Sequence, residues 1–378
     1  MATFLLASHP RPVRRAIDRH RDGLDAGAEE YLTKHQSDLE RRVLQRAAAY
    51  LAASEGQIAL TDSTTMGLGL VYGSIDLRPS DEIVTTTHDF YSTHESLRLR
   101  AERTGATVRR VRLYADSQHA TEAEILESVR RSLGPRTRVL AVTWVHSSTG
   151  VKLPVRRIAE VVAEANRDRG SEERILLCVD GVHGFGNQPE AISALGCDVF
   201  VSGCHKWLFG PRGTGLVWIG PRVAGRLHAI IPTFDLRSIG AWIAGAPPTL
   251  PPGPALTPGG FHTFEHRWAL ADAFELHHSI GRRRVAARTA ALAQRLKRGL
   301  LEVRGVRVRT PAAAALSAGL VCLELDRMSP SAAVELLARH RITASVTPYA
   351  TQCLRFGPSI ANSDTDVDRV IRAVAAIR

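Results

Sequence analysis

The middle of the chain alternates short apolar runs with amphipathic stretches, and this pattern predicts parallel strands separated by helices. Four apolar, strand-like runs occur at 83–86, 139–142, 175–179 and 198–201. After the second run, apolar residues recur at helical spacing: Val155, Ile158, Val161, Val162 and Ala165. Continuously apolar strands alternating with helices are typical of a parallel sheet covered on both faces. We therefore expect an α/β fold whose ligand lies beyond the carboxyl ends of the strands.

The C-terminal part of the chain has a different pattern, which predicts a smaller α+β unit. A helical stretch over 282–301 precedes a strand-like run over 319–325, and a final helix is expected over 364–377 with a cap signal at 362–364. Before these elements, the proline-rich run 246–254 excludes regular structure, since proline fixes φ and removes a donor. We interpret that run as an ordered loop leading into 257–266.

Composition and charge remove several classes of function. The formal net charge is +11, but the arginines are scattered and no basic–aromatic motif appears, so a nucleic-acid partner is not expected. Five cysteines without a CxxC pair predict neither structural zinc nor a disulfide framework, and no metal is expected. No apolar window reaches the roughly 20 residues of a membrane span, and the apolar run 4–7 is too short for a signal-peptide core. We expect a cytoplasmic protein without a membrane partner.

Lysine is rare in this arginine-rich chain, which draws attention to the few positions that keep it. The only lysines are Lys34, Lys152, Lys206 and Lys297. Arginine stays protonated and is no amine nucleophile, whereas a partly desolvated lysine can form a Schiff base. Lys206 follows the strand-like run 198–201 and precedes the Gly/Pro-rich turn 210–215. It is therefore the candidate nucleophile.

A Schiff-base lysine that holds pyridoxal phosphate needs several partners. The ring nitrogen needs a carboxylate, the phosphate needs a helix N-terminus with hydroxyl donors, and a substrate carboxylate needs an arginine. Asp180 ends the run 175–179, and a hydroxyl cluster at 61–67 opens a segment that we expect to be helical, as a phosphate site requires. His88 follows the run 83–86 and is a candidate flat partner for the ring, while Arg355 precedes the last helix.

These residues resemble those of fold-type I pyridoxal-phosphate enzymes of the class V aminotransferase family, which includes cysteine desulfurases, isopenicillin N epimerases and related lyases. The resemblance rests on the runs 180–183 (Asp-Gly-Val-His) and 205–207 (His-Lys-Trp) and the tail 210–215; the run 260–267 looks closest to the epimerase-like branch. It implies a mostly parallel seven-stranded sheet covered by helices plus a smaller α+β domain. The domains expected are an N-terminal segment 1–20 near the small domain or the active-site entrance, a large cofactor-binding domain 21–270 and a small domain 271–378.

The resemblance also implies roles for single residues. Lys206 would form the Schiff base and then shuttle the Cα proton, Asp180 would pair with the ring nitrogen, and His183 would lie near the phenolic oxygen, assisted by Ser147. His88 would stack on the ring, with Phe90 or Tyr91 as alternatives. Arg355 would clamp the substrate carboxylate. The residues implied for the phosphate are Ser63, Thr64, Thr65, Ser202, His205 and, from a neighbouring subunit of a homodimer, Thr263.

The chain departs from the family pattern in two places. A phosphate-binding serine often lies three residues before the lysine, but here that position is Gly203 and Ser202 lies one residue further back. The start of the chain, 5–10, lacks the glycine-rich opening common in relatives. His94, His146, Trp144 and Tyr349 remain candidates for the substrate pocket.

The expected reaction is cleavage of the Cα–H bond of an amino acid, as an aminotransferase or an epimerase. A C–S or other β-elimination lyase is the alternative. Cysteine desulfuration needs a mobile cysteine nucleophile. The run 341–352 contains no cysteine, and Cys353 is only two residues from Arg355, so this activity is disfavoured.

Overall fold

A seven-stranded sheet forms the centre of the structure, a computed structural model that describes residues 1–377 without the side chain of Ala224. Its strands are β1 Ile58–Thr61, β2 Glu82–Thr86, β3 Thr107–Val111, β4 Thr137–Thr143, β5 Leu176–Asp180, β6 Val199–Gly203 and β7 Gly215–Ile219. The strand order is β1-β7-β6-β5-β4-β2-β3. Only β7 runs antiparallel to its neighbours. The mostly parallel seven-stranded sheet expected from the sequence is confirmed.

Helices cover both faces of this sheet. The helices of this part of the chain are α1 Arg11–Leu51, α2 Thr64–Ser74, α3 Tyr91–Thr104, α4 Glu122–Ser132, α5 Val155–Ala165, α6 Leu236–Ile243, α7 Pro252–Leu256 and α8 Phe264–Ile280, of which α6 has no buried residue. Successive side chains of a strand point to opposite faces. In β4, Val139 and Ala141 pack into one apolar core, which includes residues of α2, and Leu140 and Val142 pack into the other, which includes residues of α5. The strand is apolar throughout because both of its faces are buried.

A second, four-stranded antiparallel sheet lies in the C-terminal part. Its strands, β8 Val306–Val308, β9 Val321–Leu325, β10 Ser345–Val346 and β11 Leu354–Phe356, are arranged in the order β10-β11-β9-β8. The helices of this part are α9 Arg282–Leu301, α10 Pro330–Arg339 and α11 Asp364–Ile377. The smaller α+β unit is therefore confirmed, while the residue boundaries between domains stay a prediction.

The proline-rich run 246–254 differs in part from its expectation. Helix α7 begins at Pro252 and also contains Pro254, so residues 252–254 do form regular structure. Proline is tolerated in the first turn of a helix, where its missing N–H would have no intrahelical partner. The prediction that the whole run lacks regular structure is wrong for these three residues.

Candidate active site

The carboxyl ends of three neighbouring strands bring the main predicted residues to one edge of the sheet. Asp180 is the last residue of β5 and lies opposite Thr143 of β4 and Val201 of β6. Ser147 follows β4, and Lys206 follows β6. Because these strands are parallel and adjacent, the side chains that follow them converge.

Lys206 lies half-buried in this site, with its amine beside a histidine. The Lys206 Nζ is 3.3 Å from Nε2 of His183. Burial lowers the pKa of Lys206 to about 8; the Asp180 carboxylate opposes this shift and Arg355 adds to it. A lowered pKa raises the neutral fraction of the amine near physiological pH, and the neutral amine is the nucleophilic form.

Asp180 is a buried carboxylate with few partners of its own. Its side chain is 2% exposed, and Oδ1 accepts a hydrogen bond from the Val182 N–H at 3.0 Å. Burial raises the pKa of Asp180 to about 6, against the opposing effect of Lys206. The next residue must be glycine, since a Cβ at Gly181 would lie 1.9 Å from the Phe200 ring. A carboxylate so poorly solvated would be stabilised by a cationic ring nitrogen.

His88 stacks on an aromatic residue through one ring face, and the aromatic contacts of the described residues place no ring on its other face. Its ring stacks on Tyr114 with centroids 4.3 Å apart and planes at 13°, while His146 lies 5.2 Å away. The ring centroids of Tyr114 and His146 are 5.8 Å apart. Two rings on opposite faces of His88 would be separated by about the sum of their distances from His88, so these two rings do not lie on opposite faces. Of the proposed alternatives, Tyr91 is 69% exposed and Phe90 36% exposed. The geometry favours His88 as the flat partner of a ring.

The N-terminus of α2 meets the end of β6 where a phosphate was expected. Ser63 caps α2, its Oγ accepting from the Met66 N–H at 3.1 Å, and Thr64 Oγ1 accepts from the Gly203 N–H at 2.7 Å. A Cβ at Gly203 would lie 2.9 Å from the His205 ring and 3.0 Å from Thr64 Oγ1. The hydroxyl of Thr64 therefore takes the space that a serine at position 203 would need.

The remaining phosphate candidates differ in how close they are brought to this point. Ser202 is fully buried and its hydroxyl donates to the Gly203 carbonyl at 2.9 Å. His205 is half-buried beside Lys206, and burial lowers its pKa to about 4, so it is a neutral hydrogen-bonding group. Thr65 is exposed on α2. Thr263 is exposed at the start of α8, and the structure gives it no contact with the other candidates.

Arg355 on β11 is held in place on three sides. Its Nη1 donates to the Ser147 carbonyl at 2.9 Å and its Nε donates to Ser345 Oγ at 3.1 Å, while the ring of Phe4 lies 4.7 Å from the guanidinium carbon. Within residues 1–377, Nη2 makes no hydrogen bond. Ser147 Oγ in turn lies 2.7 Å from the hydroxyl of Tyr349. This fixed guanidinium leaves Nη2 for the carboxylate of a ligand.

The N-terminal segment supplies site contacts that the sequence reasoning missed. Phe4 is fully buried, with its ring centroid 6.4 Å from that of His183 and 6.5 Å from that of Trp207. The Ala7 N–H donates to the carbonyl of His205 at 3.0 Å. The resemblance implied that residues 1–20 lie near the small domain or the active-site entrance, but no local sequence signal in the run 4–7 pointed to its packing against residues 183–207. Residues 1–7 therefore form part of the wall of the site.

One structural observation supports the fit of pyridoxal phosphate to this site without relying on the resemblance to a family. Two buried ring nitrogens, Nδ1 of His183 and Nε2 of His88, have no hydrogen-bond partner, and buried polar atoms are normally paired. They lie in the same part of the structure as the Asp180 carboxylate and the Lys206 amine. A polar heterocycle with a cationic nitrogen would satisfy this set. In the described chain, no cluster of His, Cys, Asp and Glu is suited to a metal ion, and no helix is long and apolar enough to cross a membrane.

Comparisons with known proteins agree with this assignment. The isopenicillin N epimerase of Streptomyces clavuligerus is 26% identical, covering 97% of this chain and 92% of the epimerase. That of Amycolatopsis lactamdurans is 28% identical, covering 97% and 91%. A cysteine desulfurase of Klebsiella pneumoniae is 30% identical, but over only 47% of this chain and 41% of that protein.

Solved structures show the same fold. The cystine C–S lyase C-DES, in complex with its product cysteine persulfide, matches with a TM-score of 0.90 at 22% identity, covering 99% of this chain and 96% of that one. The apo cysteine desulfurase of Thermococcus onnurineus matches with a TM-score of 0.84 at 18% identity, covering 100% and 93%. The model of the family described as "Aminotransferase class-V" matches residues 29–373. The chain therefore belongs to the class V aminotransferase family of pyridoxal-phosphate-dependent enzymes.

Proposed function

We propose that this protein cleaves the Cα–H bond of an amino acid and returns a proton to the opposite face of Cα, so that it acts as an epimerase. The observation that carries the proposal is the Lys206 amine, which has a lowered pKa and lies 3.3 Å from His183 beside the buried Asp180. The two relatives named isopenicillin N epimerase, which align with nearly the whole chain, favour epimerisation over the transamination that the same residues could support.

Each residue has a defined task in this proposal. The cofactor, when bound, supplies an electron sink for the pair left when the Cα–H bond breaks. Lys206 Nζ, as a neutral amine, accepts the Cα proton from one face of the substrate, and epimerisation then requires that a proton reach Cα from the opposite face. Asp180 keeps the ring nitrogen protonated by its negative charge, and the free face of His88 fixes the plane of the ring. Arg355 Nη2 holds the substrate carboxylate.

The phosphate group is assigned to the junction between α2 and β6. The N-terminus of α2 offers backbone N–H groups and the positive end of the helix dipole. We propose that Thr64, Thr65 and His205 contact the phosphate directly. Ser202 would shape the site from behind, because its hydroxyl donates to the Gly203 carbonyl, whereas the hydroxyls of Ser63 and Thr64 only accept hydrogen bonds from backbone N–H groups and keep a proton to donate to the phosphate.

The cysteines argue against sulfur mobilisation by a desulfurase route. Cys353 is 3% exposed, and burial next to Glu324 raises its pKa to about 11. The thiolate is the nucleophilic form of cysteine, and a raised pKa suppresses it. We therefore propose that Cys353 does not act as a nucleophile.

We further propose a cytoplasmic homodimer whose contact surface includes α6. Helix α6 has no buried residue, and its apolar side chains are exposed: Leu236 by 82%, Trp242 by 79% and Ile243 by 74%. A large exposed apolar patch marks an interaction surface. The side chain of Phe234, which precedes α6, packs on Gly259, so the patch continues into the segment that carries Thr263. A second copy docked here would bring Thr263 towards its neighbour's site.

The dimer is tested by sedimentation velocity of the wild type and of Leu236→Glu/Trp242→Glu. We expect a dimer and a monomer, respectively, with weaker cofactor binding by the monomer. A wild-type monomer, or a double variant that stays dimeric, would contradict the proposal. Lys34→Glu provides a control for added negative charge elsewhere on the chain.

The reaction is tested by incubating the cofactor-loaded protein with a panel of amino acids in deuterated water. Deuterium at Cα with loss of optical purity supports epimerisation. A keto acid with the pyridoxamine absorption band would identify an aminotransferase instead. Pyruvate with release of a leaving group would identify the lyase alternative, and the absence of any Cα exchange would refute the proposal.

A further inference from the structure

A cavity of about 470 Å³ lies in the small domain and shares no lining residue with the candidate active site. Its volume is in the range of small-molecule sites. It lies between the end of α10 and one side of α11. Its lining residues are Arg339, His340, Arg341, Ile342, Arg369, Arg372, Ala373 and Ala376. We call it the arginine cavity.

The spacing on α11 explains how this cavity forms. Arg369, Arg372, Ala373 and Ala376 follow the i, i+3, i+4, i+7 pattern, so they share one face of the helix. The two alanines leave space between the helix and the turn that follows α10, and the two arginines border that space. Arg369 also joins the two walls, since its Nη2 donates to the His340 carbonyl at 2.6 Å.

Among the described residues, no carboxylate forms an ion pair with the arginines of the arginine cavity, and the lining itself contains no acid. Other arginines of the small domain are paired: Arg288 with Asp364 at 2.9 Å and Arg295 with Asp368 at 2.7 Å. Asp368 is engaged through both oxygens by Arg295; Arg372 lies near enough to help lower the pKa of Asp368 but forms no ion pair with it.

One of these arginines occupies a backbone conformation that favours glycine. Arg341 has φ of 57°, and its N–H donates to the Ala338 carbonyl at 2.9 Å as α10 ends. Glycine is the usual residue at such a helix end. A strained non-glycine residue is a reason to look for a function. Here the arginine side chain at this position lines the cavity.

We propose that the arginine cavity binds a compact, multivalent oxyanion, of which inorganic diphosphate is the test ligand. Planar guanidinium groups bind phosphate oxygens through paired hydrogen bonds. The lining offers no Phe, Tyr or Trp on which a nucleobase could stack, so the site fits the anion rather than a nucleotide. Nothing in the proposed amino-acid reaction uses this cavity.

The first test is calorimetric titration of the cofactor-loaded protein with diphosphate at fixed ionic strength, because the cofactor then fills its own phosphate site. We expect saturable binding, and an affinity at least about tenfold lower in Arg341→Gln/Arg372→Gln. Arg283→Gln/Arg284→Gln removes two exposed arginines outside the cavity and should bind like the wild type. No saturable binding by the wild type, or equal binding by the cavity variant, would overturn the proposal.

The second test uses Arg341→Gly, which separates folding from binding. Glycine suits a φ of 57°, so the variant should melt at a higher temperature than the wild type without ligand and yet bind diphosphate more weakly. Undiminished diphosphate binding would show that the arginine does not serve the anion. ADP binding more tightly than diphosphate would overturn the assignment to a compact anion.

Discussion

Lys206, which is half-buried, and Lys297, which is buried, share one physical property and differ in their surroundings. Burial lowers the pKa of both Lys206 and Lys297 to about 8. Lys297 on α9 is 2% exposed, and its ammonium donates to the Pro311 carbonyl at 2.6 Å, to Ser317 Oγ at 2.8 Å and to the Ala312 carbonyl at 3.4 Å. Lys206 instead has the ring nitrogen of His183 beside it, with charged Asp180 and Arg355 near enough to affect its pKa.

The difference shows that a lowered pKa does not by itself identify a reactive lysine. An ammonium has three N–H donors, and at Lys297 all three have acceptors that belong to the fold. That lysine therefore fastens α9 to the segment 311–317. Lys206 has unsatisfied neighbours that a ligand would complete. The rarity of lysine, which first pointed to Lys206, applies equally to Lys297 and cannot separate them.

The largest expected effect on the reaction rate comes from replacing each of the two lysines in turn. Lys206→Ala should lower the rate of Cα deuterium exchange by at least about 100-fold, since it removes the group that moves the proton. Lys297→Met, the matched control, should keep the rate within about tenfold of the wild type. An equal reduction of the exchange rate in both variants would contradict the different roles proposed for the two lysines.

A smaller loss is expected when the carboxylate beside Lys206 is neutralised. Asp180→Asn should slow Cα exchange by about 10- to 100-fold and alter the absorption band of the bound cofactor, because the ring nitrogen loses its anionic partner. The control is Asp198→Asn, which changes a buried carboxylate that accepts from the Leu177 N–H. An unaltered cofactor band in Asp180→Asn would exclude the proposed pairing.

At Lys297 the effect should fall on stability instead of chemistry. Lys297→Met should lower the free energy of unfolding by about 1–3 kcal/mol, because buried acceptors lose their donor. The pKa in the folded state is about 8, below the unfolded value of 10.5, so the unfolded state binds more protons between these values. The stability advantage of the wild type over the variant should therefore grow as pH rises from 8 to 10.5. Chemical denaturation of both proteins across this pH range measures the difference in their free energy of unfolding. A difference that stays constant or falls as pH rises would contradict the role assigned to Lys297.

The smallest effect is expected at the hydroxyl of Tyr349, which supports Ser147 beside Arg355. Tyr349→Phe should raise KM for the amino acid by about 2- to 10-fold and leave kcat nearly unchanged. Tyr91→Phe removes a hydroxyl from a largely exposed ring and should change neither constant. A large fall in kcat for Tyr349→Phe would assign this hydroxyl to proton transfer.

The sequence predicted elements and residues whose signal is local. The buried strands were predicted from their apolar runs, α5 from helical spacing and α11 from its cap signal. Asp180 was predicted from its position at the end of a strand, and Lys206 from the rarity of lysine together with its position after a strand. Phe4 and Tyr114 were missed because they meet Arg355 and His88 only through tertiary packing. Helix α1 was not predicted because its exposed positions carry no regular apolar face; its burial comes from packing on α8.

The central claim is that Lys206, and not Lys297, carries the cofactor. Reduction of the cofactor-loaded protein with borohydride, followed by proteolysis and mass spectrometry, would fix the cofactor to the lysine that holds it. We predict a pyridoxyl group on the peptide that contains Lys206 and an unmodified peptide that contains Lys297. A pyridoxyl group on Lys297, or on neither lysine of a protein that shows the cofactor band, would contradict the account.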